Sequence, residues 1–551
     1  MAYRKIASRL WQVLPLMLLG WSGVVAWAVP PSPLPMPNTP ASRDRRSGEF
    51  ADALIEICTS LSNQYVKPIP RSELAVAAMD ALYDSQRKPF PPEFRRPIVQ
   101  ANNWQSLSSA LQQARSYLGN SASLDDRRDL IQSLEAIGAR LDPYCGIVPS
   151  SEFSIAGDVT SGYGFELVGQ TTGPAKNFRR GGIPLAPSLR LLPEPLAFPW
   201  RVQQVIPGSP AQIAGMKPDD ILTEIDGVPI REANSAEVLR RLLQPASPTT
   251  RTRFQILRKG SPEPRTLVIS PGVFSPESVF GIRRSSASEW DYWLDRGEKL
   301  AFIRIGSITR QTPDQLADAI QQLESDGMNG LILDLRACPG GYLDPAIAVA
   351  SIFVSEGMIA QSISRDVLQP TIYRTNRVAS TRFQAGDYPV VVLIGPDTSG
   401  GGELIAAAIQ DNRRAILAGE RTRGKATIQK GIEVGLGDQM FKLTTGFFQR
   451  PSGKNLQRFP DSRLTDDWGV QPDDNARFPL TDDIREEIRN HWTLQILRPA
   501  DAGEILPLDD PRADPQQQAA LQRLRRAIKE PRPAPIPAVK PDLLPPLDPI
   551  R

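Results

Sequence analysis

Apolar positions along the chain fall into three successive textures. From Phe50 to about Arg140 they recur at helical spacing: Leu54, Ile57, Cys58 and Leu61, then Leu74, Ala78 and Leu82, then Leu130, Leu134 and Ile137. An apolar stripe every three to four residues marks helices with one buried face, so residues 48–150 read as a small helical domain. Pro89, Pro91, Pro92 and Pro97 interrupt it and predict a loop. From Asp158 to about Pro271 short apolar runs alternate with glycine turns. The stretch "VQQVIPGSPAQIAGMKPDDILTEIDGVPI" (202–230) reads as strand, Pro-Gly turn, short helix, second strand and Asp226-Gly227 turn. From Leu300 onward strands alternate with helices. "AFIRI" (301–305), "GLILDLR" (330–336) and "YPVVVLIG" (388–395) are continuous apolar strands, with helices over 313–326, after "ACPGG" through Phe353, and over "GELIAAAIQD" (402–411). Strands apolar on both faces and joined by helices predict an α/β domain with a substantial parallel sheet, here 290–480. The fold class is therefore α/β multidomain: a helical N-terminal region, a β domain over 158–272, and an α/β domain.

The ends differ in texture. Arg4, Lys5 and Arg9 precede an apolar run from Leu10 to Val29 that closes on Ala26-Trp27-Ala28. A charged start, an apolar middle and small residues at a cleavage site make residues 1–28 a signal peptide. An uncleaved anchor is the alternative, since about 20 apolar residues can just span a bilayer. Both readings put the rest of the chain in an extracytoplasmic space, the periplasm. The membrane is a partner only if the segment stays attached.

Composition sharpens this picture in four places. Of 551 residues 53 are proline, about twice ordinary usage. They crowd into 30–40, 171–210 and 531–549, which predicts a linker (29–47), an insertion in the β domain and an extended tail (531–551) after a helical segment (481–530). Lys+Arg 64 against Asp+Glu 61 gives +3, and residues 1–28 carry three of those cations and no acid, so the remainder is neutral. A neutral chain excludes nucleic acid as the main partner. The one histidine, His491, excludes multi-histidine metal sites, and Cys58, Cys145 and Cys338 form neither a disulfide framework nor a zinc spacing. No metal and no cofactor is implied.

Candidate chemistry begins at Gly162-Tyr163-Gly164-Phe165. Glycines around an aromatic free backbone N–H groups to face one anion, as in carboxylate-binding nests. Together with "PGSPAQIAG…DILTEIDG" downstream, the segment resembles a PDZ domain, which implies capture of a C-terminal peptide by strand addition. A PDZ-like unit followed by "LILDLRACPGG" and "GGGELIAAAIQDNRRAILAGERTRGKATIQ", with "LDPYCGIV" (141–148) and "LTTGFFQRPSGKNLQ" (443–457), resembles the carboxyl-terminal-processing, or tail-specific, proteases over most of residues 50–475. That resemblance implies a crotonase-like α/β domain and peptide-bond hydrolysis by a serine–lysine pair without histidine. The implied substrate is a polypeptide near its C-terminus.

Such chemistry needs a hydroxyl at a strand-to-helix turn, a lysine held neutral by burial, and backbone N–H donors for the oxyanion. By the resemblance Lys425 is the base and Gln429 its orienting amide. Asp411 matches an acid at the end of the helix, and Gly340 and Gly341 match the oxyanion turn. "GKATIQ" predicts a strand with Lys425, Thr427 and Gln429 on one face. The family's nucleophile lies 25 residues before the lysine and three before the glutamate, and both counts land on Gly400, within Thr398-Ser399-Gly400-Gly401-Gly402-Glu403. Three readings stay open. The chain keeps the fold and peptide grip without catalysis. Alternatively Ser399 attacks from one residue early, or Cys338 supplies a thiolate near the oxyanion turn.

Overall fold

The structure, a computed structural model, describes residues 40–150, 160–170, 197–230, 250–274, 277–284, 289–365, 370–375, 384–497, 510 and 513–530. The signal segment, residues 171–196 of the Pro-rich insertion and the tail from 531 lie outside them. Among the described residues no helix is long and apolar enough to cross a membrane.

Five helices open the chain: α1 (Pro40–Gln64), α2 (Arg71–Ser85), α3 (Pro92–Gln100), α4 (Trp104–Leu118) and α5 (Arg128–Leu141). Two expectations are corrected here. Residues 40–47 are not linker but the first turns of α1, because Ser47 and Phe50 are buried and Arg46 pairs with Asp125 at 3.1 Å. The expected proline loop is confined to the residues before Pro92, which opens α3 at a position where a missing N–H costs nothing.

Gly146–Pro149 (β1) then leads to the middle unit. Thr160–Gly162 (β2) pairs with Gly272–Phe274 (β8). Phe165–Gln170 (β3), Ala197–Val205 (β4), Ile221–Ile225 (β5), Thr252–Leu257 (β6) and Arg265–Ile269 (β7) form one antiparallel sheet in that order. Pro210–Ile213 is a single-turn helix, α6, capped by Ser209. Trp200, Val202, Leu222, Phe254 and Ile256 fill the core on one face, as alternation of strand residues requires.

The third unit is built on four parallel strands in spatial order: Leu300–Ile305 (β9), Gly330–Asp334 (β10), Val390–Ile394 (β12) and Ile416–Gly419 (β13). Every residue of the first three is buried. The cause is double coverage. Thr312–Ser325 (α7), Leu343–Phe353 (α8) and Gly401–Asp411 (α9) pack on one face. Ala520, Leu521 and Leu524 of Pro515–Lys529 (α11) cover the other. The helix Asp482–Leu497 (α10) brings Trp492 over the guanidinium groups of Arg304 and Arg336, at 3.6 and 4.7 Å. Those two arginines share the fully buried Asp334, and Arg336 also pairs with Asp514.

A second, antiparallel sheet joins this unit to the N-terminal helices. Gln439–Gln449 (β15) pairs with β1, with Met358–Ser364 (β11) and with Thr427–Glu433 (β14). Ile432, Val434, Phe441 and Leu443 belong to the same core as Leu54, Leu74 and Leu134. The helical region is thus fused by apolar packing to the strand that follows Lys425.

Candidate active site

The site is a corner where β12 ends and α9 begins. Thr398, fully buried, donates to the Leu335 carbonyl at 2.8 Å and accepts from Gly395 N–H at 3.0 Å, which fixes the loop. Gly400 follows at φ +56° and ψ −123°, a sharp strand-to-helix elbow that glycine adopts with least cost. A Cβ built there meets nothing closer than the Pro339 carbonyl oxygen at 3.4 Å, so space for a side chain exists. Gly401 and Gly402 lack that freedom. Their added Cβ atoms fall 2.8 Å from Ile308 Cδ1 and 2.9 Å from the Cys338 carbonyl oxygen.

The bend at Gly340-Gly341 presses on this elbow. A Cβ on Gly340 lies 2.8 Å from Gly401 N, and one on Gly341 lies 1.9 Å from the Ile308 carbonyl oxygen. Gly340 takes φ +97°. Glycine at both positions is a condition of the approach. The Gly340 N–H faces the Cys338 sulfur.

Lys425 reaches the same corner through its backbone. Its carbonyl accepts from Gly400 N–H at 3.1 Å and its own N–H donates to Glu403 Oε2 at 2.7 Å. Those bonds take Lys425 out of the β ladder, so the strand begins at Thr427 rather than including Lys425, and its register shifts between Ile428 and Gln429. The Lys425 amine sits 5.1 Å from the ring centre of Tyr144. Gln429 is tied to Thr427, its Nε2 donating to Oγ1 at 2.5 Å. These two do share a face, as the period of two predicts.

Both alternative nucleophiles are buried. Ser399 is buried, and its hydroxyl donates to the Pro339 carbonyl at 2.8 Å, toward the bend. Cys338 is fully buried beneath Gly402, and burial pushes its thiol up to about 12, far from a thiolate at neutral pH. Asp411 is not brought to the elbow. It lies at the far end of α9, about 15 Å along the axis from Gly401 at the usual rise per residue, where Arg450 pairs with it and Ser452 N–H donates to it at 3.0 Å. His491 is on α10, its imidazole held below its ordinary range by burial and by Arg304.

In the middle unit Tyr163 is buried, its hydroxyl sharing a 2.6 Å hydrogen bond with Thr252. Gly164, at φ +82°, packs so closely that an added Cβ falls 2.1 Å from Ser209 Cβ. The carbonyls of Tyr163 and Gly164 accept from Ala211 and Ile206 N–H, both at 2.8 Å. Gly162 ends β2, and Phe165 opens β3 at the sheet edge with its ring against Phe254.

Glu403 is the site residue that sequence reasoning missed. Fully buried, it accepts from Thr422 Oγ1, Gly424 N–H, Lys425 N–H and Gly400 N–H. Its place three residues after the helix start, the acidic half of a capping box, was the available signal. Tyr144, in the "LDPYCGIV" block, is the second; nothing local marks it, because it arrives from the far side of the fold.

The fold and this corner define an α/β domain with a glycine elbow, preceded by a small antiparallel β unit. Residues 299–475 match the family model for peptidase family S41, and residues 201–258 match that for the PDZ domain. The chain is 30% identical over 273 residues to the carboxyl-terminal-processing protease of Synechocystis, covering 50% of this chain and 58% of that one. It is 28% identical over 349 residues to the carboxy-terminal-processing protease of Bartonella bacilliformis, covering 60% and 72%. A solved photosystem II D1 C-terminal processing protease aligns at 20% identity and TM-score 0.37, over 78% of this chain and 93% of that one. The chain is similar to carboxyl-terminal-processing proteases of S41 type, and its match spans 58% of the length of the Synechocystis relative.

Proposed function

We propose that this chain is an exported, peptide-binding member of its family in which residue 400 carries no nucleophile, so that it grips polypeptide C-termini without hydrolysing them. The observation that carries this reading is the elbow itself. Gly400 holds the strained turn conformation, where a Cβ would make only ordinary contacts, while the adjacent Ser399 hydroxyl is buried and spent on the Pro339 carbonyl. Grip is supported by the Gly162–Phe165 loop and by β3, which among the described residues pairs on one side only and so offers its other edge to an added peptide strand. Lys425, with Gln429 next along the chain, is read as the retained base side of a hydrolytic corner. Export rests on the segment 1–28 and places the activity outside the cytoplasm.

The second reading, hydrolysis by Ser399, requires that hydroxyl to leave Pro339 and reach a substrate carbonyl. Turnover of an unstructured protein by the chain from residue 29, beside Ser399→Ala and Gly400→Ser variants, separates the two. No turnover in the parent and its appearance in Gly400→Ser is the expected result. Turnover in the parent that Ser399→Ala removes supports the second reading.

A further inference from the structure

One buried carboxylate joins the two halves of the corner. Glu403 Oε1 accepts from Thr422 Oγ1 at 2.5 Å and Gly424 N–H at 2.6 Å, and Oε2 accepts from Lys425 N–H at 2.7 Å and Gly400 N–H at 3.2 Å. Thr422 Oγ1 accepts in turn from Val470 N–H at 2.7 Å. The shell is therefore four donors around four acceptor positions, which suits an ionised carboxylate better than a protonated one. A carboxylic acid must aim its proton at one of those donors. Three are backbone amides and cannot accept. Thr422 alone can reverse its hydroxyl, which puts the proton on Oε1 and leaves the Gly424 N–H competing for a weakened acceptor.

Several charged or titratable groups face this shell. Lys425 lies on the same segment, and Arg423, two residues before it, pairs with the half-buried Asp397 at 3.0 Å. Across the corner is Tyr144, whose hydroxyl bonds to Gln457 and whose ionisation Glu403 opposes. Gly469 completes the wall, where an added Cβ falls 3.5 Å from Glu403 Oε1.

We propose that Glu403 is a positioning residue whose ionisation fixes the Gly424–Lys425 segment against residue 400, and whose protonation loosens that attachment. Ionised, the carboxylate ties the elbow N–H and the lysine segment into one piece. Protonated, it weakens the Gly424 and Lys425 bonds while the helix it sits on stays packed. Burial pushes this carboxyl up to about 7 against the pull of its four donors, so both forms are populated near neutrality. The inference stands apart from whether residue 400 can do chemistry.

The test uses the chain from residue 29, labelled with nitrogen-15 in glycine and lysine and followed by NMR across neutral pH. Gly400, Gly424 and Lys425 amide signals should move together with one midpoint near 7 in the parent and in His491→Asn, and stay still in Glu403→Gln. Signals that remain fixed in the parent, or move with separate midpoints, overturn the proposal. So does a shared titration that His491→Asn abolishes. The parent and His491→Asn titrations decide the matter even if Glu403→Gln does not fold.

Discussion

At the scale of single residues, the proposal turns on Gly400, the glycine at the strand-to-helix elbow. Gly400→Ser has room for its Cβ, with 3.4 Å to the nearest heavy atom, and meets the cost of a sparsely populated backbone conformation, about 1–3 kcal/mol. It should therefore fold, with a urea midpoint below the parent. Ser399→Ala removes one buried hydrogen bond to Pro339 and should cost about 1 kcal/mol while leaving peptide affinity unchanged. Fluorescence anisotropy with a labelled C-terminal peptide, beside urea titration, checks both halves of that expectation. Gly400 itself was legible in the sequence, because two independent spacings converge on it. The direction of the Ser399 hydroxyl was not, since it depends on a carbonyl sixty residues earlier that only the fold brings near. Glu403 was hidden for the same reason: its partners at 422, 424 and 425 arrive on another segment.

At the scale of elements, the bend and the elbow are two glycine-rich turns locked face to face. Gly341→Ala places a Cβ 1.9 Å from a backbone oxygen. It should destabilise by about 3 kcal/mol or more, since the obstacle is main chain rather than a movable side chain. Thermal or urea unfolding measures this. The far end of α9 is held by a different device. The Asp411–Arg450 pair is almost wholly buried, with side-chain exposures of 8% and 11%, so Asp411→Ala leaves a buried guanidinium unpaired. We expect a loss of about 3 kcal/mol with the amide signals of Gly400 and Lys425 unmoved. Apolar periodicity gave the strands and helices of this unit well, because strands buried on both faces announce themselves. It misjudged Lys425 as a strand residue, since period-two alternation does not reveal that Glu403 withdraws its N–H from the ladder. It misjudged residues 40–47 because a polar helix held by tertiary packing looks like a linker.

At the scale of the whole molecule, Glu403 links the corner to global stability. Its folded-state carboxyl is raised from the ordinary value of 4.5 to about 7. The folded state therefore holds a proton that the unfolded chain has already released. The stabilising contribution is complete below the unfolded value and is lost as pH rises through about 7. Urea unfolding should show the parent losing roughly 3 kcal/mol of this contribution between acid and mildly alkaline pH, a slope that Glu403→Gln removes. The well-ordered corner at alkaline pH is thus held against the fold's overall stability. The shared core of the N-terminal helices and β14–β15 packs the segment after Lys425 against a region far away in the chain. That fusion was not readable from the sequence, where a helical stretch and a hairpin three hundred residues later carry no mark of each other.

The most direct measurement is cleavage of an unstructured protein by three forms of the chain: the parent, Gly400→Ser, and Gly400→Ser with Lys425→Ala. Our account predicts cleavage by Gly400→Ser alone, with the elbow and the lysine both required. A parent that cleaves, or a folded, peptide-binding Gly400→Ser that does not, contradicts it.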